Sequence, residues 1–161
     1  MDSASVLGSI RQLLSSRGVE FREVKHPPTA TSEESAAARG EELRVGGKAL
    51  LMKGDQDGFA LFVLPADRKV DSAAIRQHLG LKRLRFATAE ELVELTGLVP
   101  GSVPPFGRPI LPFDLYVDSA LKTNDRIAFN AGSLTDSIIC PLGAYLEVAA
   151  PNDCFSFSVS R

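Results

Sequence analysis

Residues 46–65 read GGKALLMKGDQDGFALFVLP, and this stretch decides the fold. Two apolar runs, residues 49–52 and residues 59–64, flank the turn signal Gln56-Asp57-Gly58. Apolar runs on either side of an Asp-Gly pair predict a β-hairpin. Both runs are apolar on both faces, which is typical of strands that lie in the middle of a sheet.

Helix signals lie on both sides of the hairpin. Residues 4–16 are predicted to form an amphipathic helix, because four apolar residues recur at helical spacing: Val6, Ile10, Leu13 and Leu14. Thr31 with Glu34, and Thr88 with Glu91, have the spacing of capping boxes, so each pair predicts the start of a helix. A further helix is predicted from Asp71 or Ser72 to Leu79.

The remaining elements are short. The helix that follows Thr88 is expected to bury Leu92, Val93 and Leu95, and another helix is predicted over residues 141–149. Strands are predicted over five further ranges: 19–24, 83–86, 110–117 in two pieces, 126–129 and 137–140. Residues 155–160 alternate between apolar residues and serine, which indicates a late edge strand or a loosely held terminus.

These elements predict a single α+β domain over residues 1–161, with a mixed and strongly curled sheet, because strands and helices do not alternate as they do in a doubly wound fold. The formal net charge of −2 excludes a uniformly basic nucleic-acid binder, and DNA is not an expected partner. We expect no membrane association and a cytoplasmic location, since no apolar run is long enough to span a bilayer and the start of the chain does not resemble a signal peptide.

Several common chemistries are not supported by the sequence. Gly47-Lys48 suggests a phosphate-binding loop, but Glu42 and Ala49 stand where that motif needs glycine and Ser or Thr. Neither histidine has a second histidine at metal-binding spacing, so we expect no metal site, and we expect no cofactor. Cys140 lies in an apolar run, which favours a core residue; Cys140 and Cys154 either pair or remain two idle thiols, and the sequence favours the second alternative.

The chain resembles the YbaK/ProX family of aminoacyl-tRNA editing domains. Five stretches carry the resemblance in order: VKHPPTATSEESAAARG, GGKALLMK, FVLPADRKVD, KRLRFATAEELVELTGLVPGSVPPFG and RIAFNAGSLTDSI. The resemblance implies a mixed, barrel-like β-sheet surrounded by helices. It implies a deacylase that acts in trans on the acceptor end of a mischarged tRNA, in particular a proline tRNA, with prolyl-tRNA synthetase as an associated partner. A pocket bounded by His26, Thr31, Lys48 and Asn130 is suited to a small amino acid such as alanine, cysteine, serine or threonine.

The resemblance also implies the site residues. It assigns Lys48 and Gly101 to catalysis, and it assigns a second set to substrate binding: His26, Thr31, Ser32, Ser102, Pro105, Asn130, Gly132 and Ser133. Backbone N–H groups near Gly101 are suited to stabilise the oxyanion that forms during ester hydrolysis. Lys48 either anchors the terminal phosphate or ribose, which we favour, or acts as a base with a pKa lowered by burial. We expect the attacking water to be oriented by backbone groups, by Asn130 and by a ribose hydroxyl of the substrate.

Two questions stay open at this point. The cationic residues Lys82, Arg83 and Arg85 are suited to contact acceptor-stem phosphates, but the same residues are typical of a solvated sheet edge. The alternatives to a deacylase are a non-catalytic module of the same fold that binds tRNA ends or a synthetase, and an unrelated hydrolase that uses Ser133 or Cys140.

Overall fold

The computed structural model describes residues 3–161, which form a mixed α+β fold, as predicted. The helices, in chain order, are α1 (Ser3–Ser16), α2 (Ser32–Arg39), α3 (Ser72–Leu79), α4 (Ala89–Thr96) and α5 (Leu142–Ala149). The strands are β1 (Arg22–Lys25), β2 (Gly47–Lys53), β3 (Phe59–Pro65), β4 (Arg68–Val70), β5 (Arg85–Phe86), β6 (Asp114–Asp118), β7 (Arg126–Asn130), β8 (Asp136–Pro141), β9 (Asp153–Phe155) and β10 (Ser158–Ser160).

The predicted hairpin forms the centre of the largest sheet. Strands β2 and β3 pair in antiparallel fashion, from Gly47 opposite Pro65 to Lys53 opposite Phe59. Strand β3 also pairs with β6, and β6 with β9, both in parallel, while β5 joins the other side of β2. The order β5-β2-β3-β6-β9 therefore places the hairpin inside the sheet, as its apolar faces predict.

The other strands form two smaller sheets rather than completing a barrel. One is the antiparallel sheet β1-β8-β7, and the other is the ribbon β10-β4. Within residues 3–161 no closed barrel is present, so the barrel-like sheet implied by the resemblance is not found. A barrel needs each strand to pair with a neighbour on both sides, all the way around. The edge of β2 that faces away from β3 pairs with β5 at Met52 and Lys53, and beside its other end there is a single parallel bridge between Gly46 and Ala128. The edge between these contacts is open.

Local capping signals set the helix ends as predicted. The side chains of Thr31, Asp71 and Thr88 accept backbone N–H groups at the starts of α2, α3 and α4. Helices α2 and α3 end at Gly40 and Gly80, both in the left-handed conformation. Such caps satisfy backbone groups that a helix end leaves unpaired, so they can be recognised from neighbouring residues alone.

Two main apolar clusters hold the sheets and helices together. The larger cluster packs α1 and α5 against the five-stranded sheet and the sheet β1-β8-β7, with Leu61, Ile127 and Tyr145 fully buried. The smaller cluster lies under α3 and includes Phe62 and Phe157. Residues 155–160 do not form the single edge strand predicted, because they are divided between β9 at the edge of the largest sheet and β10 in the ribbon with β4. Buried aromatic rings hold this stretch in place, so the alternative of a loosely held terminus is wrong.

Several elements differ from their predicted form, among them the strand predicted over 83–86, which begins only at Arg85. In α4, Leu92 and Thr96 are buried one turn apart, whereas Val93 and Leu95 are 50% and 42% exposed. The buried face of this helix thus includes a threonine, and two of the three residues expected to be buried point outward. The strand predicted over 110–117 is a turn followed by β6, and the strand predicted over 19–24 begins only at Arg22.

No helix within the described residues combines the length and the apolar character that crossing a membrane requires.

Candidate active site

The open edge of β2 forms one wall of a cavity of about 200 Å³. The cavity lies between the start of α2, the first residues of β2, the loop at residues 101–103 and the end of β7. Five residues from the predicted set line it: Thr31, Ser32, Lys48, Gly101 and Asn130. The fold therefore brings together residues that lie up to about a hundred positions apart in the sequence.

Lys48 is half-buried at the start of β2. Burial and the neighbouring Arg161 guanidinium lower the pKa of its ammonium group, and the carboxylates of Glu33 and Asp67 offset part of this lowering. Arg161 itself pairs with Glu33 at 3.0 Å and donates to the carbonyl oxygen of Ala66. Within residues 3–161 no carboxylate lies within ion-pair distance of Lys48, so its charge is available to a ligand.

A buried arginine that the sequence did not identify organises the far wall of the cavity. Arg39 is only 7% exposed, and burial lowers the pKa of its guanidinium to about 10, so it is charged at neutral pH. Its Nε donates to Ser137 Oγ at 3.0 Å, and its terminal NH₂ group donates to Asn130 Oδ1 at 3.0 Å. Arg39 thus joins the end of α2 to strands β7 and β8.

Asn130 extends this network to the glycine loop. Its Nδ2 donates to the carbonyl oxygen of Gly101 at 2.7 Å, while its Oδ1 also receives the hydroxyl of Ser137 at 3.2 Å. Gly101 has a φ of +88°, a conformation that glycine adopts without strain. The side-chain amide of Asn130 thus holds the loop, and one N–H of its Nδ2 has no partner within residues 3–161.

Three predicted binding residues support the loop from outside the cavity. The hydroxyl of Ser102 donates to the carbonyl oxygen of Val99 at 2.8 Å, and the amide of Gly132 donates to the carbonyl oxygen of Ser102 at 3.0 Å. The carbonyl oxygen of Pro105 accepts the buried hydroxyl of Tyr145. These contacts fix the loop conformation.

His26 and Ser133 also lie outside the residues that line the cavity. His26 Nε2 lies 2.8 Å from Ser137 Oγ, so the ring touches the Arg39 network rather than the cavity. Ser133 Oγ accepts the amide of Thr135 at 3.0 Å within a turn.

The thiols give no support to a cysteine nucleophile. Cys140 and Cys154 are both free, so the disulfide alternative is not realised. Burial raises the pKa of Cys140 to about 12, which keeps it a protonated thiol at neutral pH.

The predicted tRNA-binding cations lie at the β5 end of the largest sheet. Arg85 forms a two-pronged ion pair with Glu91, at 2.8 and 2.9 Å. The backbone amides of Lys82 and Arg83 donate to the carboxylate of Asp55, and no ion pair engages their side chains among the described residues. Two of the three cations are thus open to an external anion.

Comparison with known proteins gives a consistent result. A family model described as "Aminoacyl-tRNA editing domain" matches residues 26–147. The multifunctional Ser/Thr-tRNA deacylase ProXp-y of Escherichia coli K12 is 39% identical over 144 residues, which cover 86% of this chain and 85% of that protein. The proline–tRNA ligase of Shouchella clausii is 34% identical over 105 residues, which cover 65% of this chain and 18% of the ligase.

The fold agrees with a solved structure of the same type. A protein described as a trans-editing enzyme for prolyl-tRNA synthetase superimposes with a TM-score of 0.81 and 26% sequence identity. The superposition covers 96% of this chain and 98% of the other. The similarity thus extends over both chains.

Proposed function

The chain belongs to the aminoacyl-tRNA editing domain family, and on that premise we propose that it is a deacylase that acts in trans on mischarged tRNA. The reaction is hydrolysis of the ester between a small amino acid and the 3′ end of the tRNA. The observation that carries the proposal is that Lys48 and Gly101 line one cavity. A cation and a loop with exposed backbone amides suit a substrate with phosphates and a reaction that develops an oxyanion.

The charge of the cavity favours anionic parts of the substrate. Its lining includes Lys48 and Arg39, and no carboxylate from residues 3–161 is among the lining residues. We therefore propose that the ester carbonyl and the terminal phosphate of the substrate lie against the cationic part of the lining. Lys48 serves as the anchor, and Arg39 acts through Asn130.

Hydrolysis proceeds by attack of water on the ester carbonyl carbon. The carbon–oxygen bond to the ribose then breaks, which releases the amino acid and the 3′-terminal hydroxyl of the tRNA. The oxyanion forms next to the glycine loop. The amide of Ser102 already donates to Val99, so the amides of Gly101 and Val103 are the donors that we assign to it.

A water nucleophile fits the side chains of the cavity. Ser133 lies outside the lining, and Cys140 is a buried thiol. A ribose hydroxyl of the substrate, backbone groups and the second N–H of Asn130 Nδ2 orient the water, since only one N–H of that group is engaged in the network.

The part of the cavity next to α2 suits a small amino acid with a hydroxyl group. It is lined by the hydroxyl-bearing residues Thr29, Thr31, Ser32 and Ser35. Thr29 and Ser35 are buried and hydrogen-bonded to each other at 2.7 Å. A site that hydrogen-bonds a substrate hydroxyl discriminates strongly against analogues that lack it. We therefore propose serine and threonine as the preferred amino acids, in agreement with the activity named for the E. coli relative.

We expect purified protein to release serine and threonine from mischarged proline tRNA at least about fivefold faster than alanine, because one lost hydrogen bond in a buried site costs about 1–3 kcal/mol. The measurement is loss of radiolabelled amino acid from mischarged tRNA under single-turnover conditions. Correctly charged prolyl-tRNA is the control and should remain intact. Tight binding of seryl-tRNA without release would instead support the non-catalytic module.

The pH dependence separates the two assignments for Lys48. If its ammonium is the anchor, the rate above spontaneous hydrolysis falls as Lys48 deprotonates, and this fall begins below the ordinary lysine pKa of 10.5, because burial and Arg161 lower the pKa. If the neutral amine is a base, the rate rises over the same range. Arg161→Ala removes a repelling charge, so the pKa of Lys48 rises. The pH range over which the rate changes therefore moves to higher pH under either assignment.

A further inference from the structure

We propose that a second cavity, walled by Phe86, binds the terminal nucleobase of the tRNA as a flat ring stacked on the Phe86 side chain. This inference rests on the proposed function, because it places the nucleobase relative to an ester held in the first cavity. It assigns a binding site beside the active site and names its ligand as a nucleobase.

The second cavity is a continuation of the first. It has a volume of about 130 Å³ and shares four lining residues with the active-site cavity: Ala49, Leu50, Gly101 and Val103. A substrate whose ester carbonyl lies at Gly101 therefore has its next chemical group at the entrance of the second cavity. In an aminoacyl-tRNA that group is the terminal nucleoside.

Phe86 provides an exposed aromatic surface at the far side of the second cavity. It is the most exposed large hydrophobic residue in the described part of the chain, at 54%. It pairs with Met52, which lies four residues along β2 from Lys48, or about 13 Å at the usual strand rise. That distance is comparable to the span of a nucleoside, and stacking of bases on aromatic rings is a common mode of single-strand recognition.

The wall between the two cavities offers polar groups at the edge of the sheet. The carbonyl oxygen of Leu51 accepts the amide N–H of Ala87 on the side of β2 that faces β5. The backbone groups of Gly46 and Gly54 form their hydrogen bonds on the opposite side, which faces β3. Backbone groups alternate in direction along an antiparallel strand. The amide and carbonyl of Ala49 therefore point to the open edge, where they can pair with the polar rim of a base whose faces are covered by apolar side chains.

The charges beside Phe86 suit the phosphates that accompany a nucleobase. Lys82 and Arg83 precede β5, and their side chains are not engaged in ion pairs among residues 3–161. Nearby carboxylates could oppose an anion, but Arg85 neutralises Glu91, and Asp55 is held by the backbone amides of Lys82 and Arg83. The combination of an exposed aromatic ring and unpaired cations is typical of a single-stranded nucleic-acid surface.

A protein partner is the competing occupant, since Val93, Leu95 and Val99 are also exposed near α4. None of these three residues lines the second cavity, whereas Phe86 does. The nucleobase is favoured because the ring faces a cavity that continues into the active site.

The test compares Phe86→Ala with Phe86→Trp and with the control Val93→Ala, which alters an equally exposed apolar residue outside the cavity. We expect Phe86→Ala to raise KM for seryl-tRNA roughly tenfold with little change in kcat, because it removes one stacking contact. Phe86→Trp keeps an aromatic face and should retain a KM close to that of the wild type. Val93→Ala should behave as the wild type.

A second measurement needs no turnover, and its first readout uses the wild-type protein alone. Uncharged tRNA that carries 2-aminopurine as its terminal base should lose fluorescence when it binds the wild-type protein, and Phe86→Ala should abolish that loss. Unchanged fluorescence on wild-type binding, or a KM for Phe86→Ala equal to that of Val93→Ala, would overturn the inference. Weaker binding of prolyl-tRNA synthetase by both variants, with no change in KM, would also overturn it and identify a protein-docking surface.

The two proposals fail separately. If the wild-type protein releases no amino acid from any mischarged tRNA, the proposed function is wrong, while the fluorescence measurement still decides whether a base stacks on Phe86. If deacylation is normal and fluorescence does not change, only the nucleobase site is wrong.

Discussion

Lys48→Ala is expected to lower kcat/KM for deacylation by up to about 100-fold, because a hydrogen bond to a charged group contributes about 1.5–3 kcal/mol. The side chain supplies the half-buried ammonium of the active-site cavity, and no carboxylate within residues 3–161 pairs with it. The free energy of unfolding should change by less than about 0.5 kcal/mol, because no ion pair is broken. Single-turnover release of serine and thermal unfolding measure the two effects.

Lys53→Ala is the matched control for this substitution. Lys53 lies at the other end of the same strand, where it pairs with Asp57 at 2.8 Å, and it does not line the active-site cavity. Its removal should leave deacylation within about twofold of the wild type, since surface ion pairs contribute little. Lys48→Arg keeps the charge and should lose less activity than Lys48→Ala. Full activity in Lys48→Ala would show that the anchor lies elsewhere.

Arg39→Met is expected to lower both activity and stability. Methionine fills much of the volume but removes the donors to Ser137 and Asn130. We expect the free energy of unfolding to fall by about 2 kcal/mol. Charge-assisted hydrogen bonds contribute about 1.5–3 kcal/mol each, but burying methionine avoids the cost of desolvating a guanidinium, which offsets part of the loss. Deacylation should slow about tenfold because Asn130 no longer holds the glycine loop firmly. Chemical denaturation and single-turnover release measure the two losses.

A double-mutant cycle tests whether Arg39 acts through Asn130. Asn130→Ala alone should also slow deacylation about tenfold, and the double variant should be little slower than either single variant, because residues in one hydrogen-bond network are not additive. Arg126→Met is the control: Arg126 lies on the same strand but pairs with Glu41 outside the cavity. Fully additive losses would show that the two residues act independently.

Local signals predicted much of this fold, whereas contacts distant in sequence were missed. The hairpin around Asp57-Gly58 and the caps at Thr31 and Thr88 depend on residues within a few positions of each other, and the structure confirms them. The open edge of β2 depends on where β5 and β7 lie, and no local pattern records that. In α4, tertiary packing buries Thr96 and exposes Val93, against their polarity.

The same distinction applies to the candidate site. Family resemblance identified Lys48, Gly101 and Asn130, and all three line one cavity. Arg39 was not identified because its partners Asn130 and Ser137 lie 91 and 98 residues away. An arginine at the end of a short alanine-rich helix usually faces solvent. Its burial depends on hydrogen bonds that only the folded chain provides.

The unpaired stretch of β2 also bears on self-association. An uncovered strand edge can accept a strand from a second molecule, and lysine side chains are one means by which natural sheets oppose such pairing. Lys48 lies within this gap, between the bridge at Gly46 and the pairing at Met52. The ammonium group that we propose as the substrate anchor is thus also placed to oppose strand pairing between two molecules when no substrate is bound.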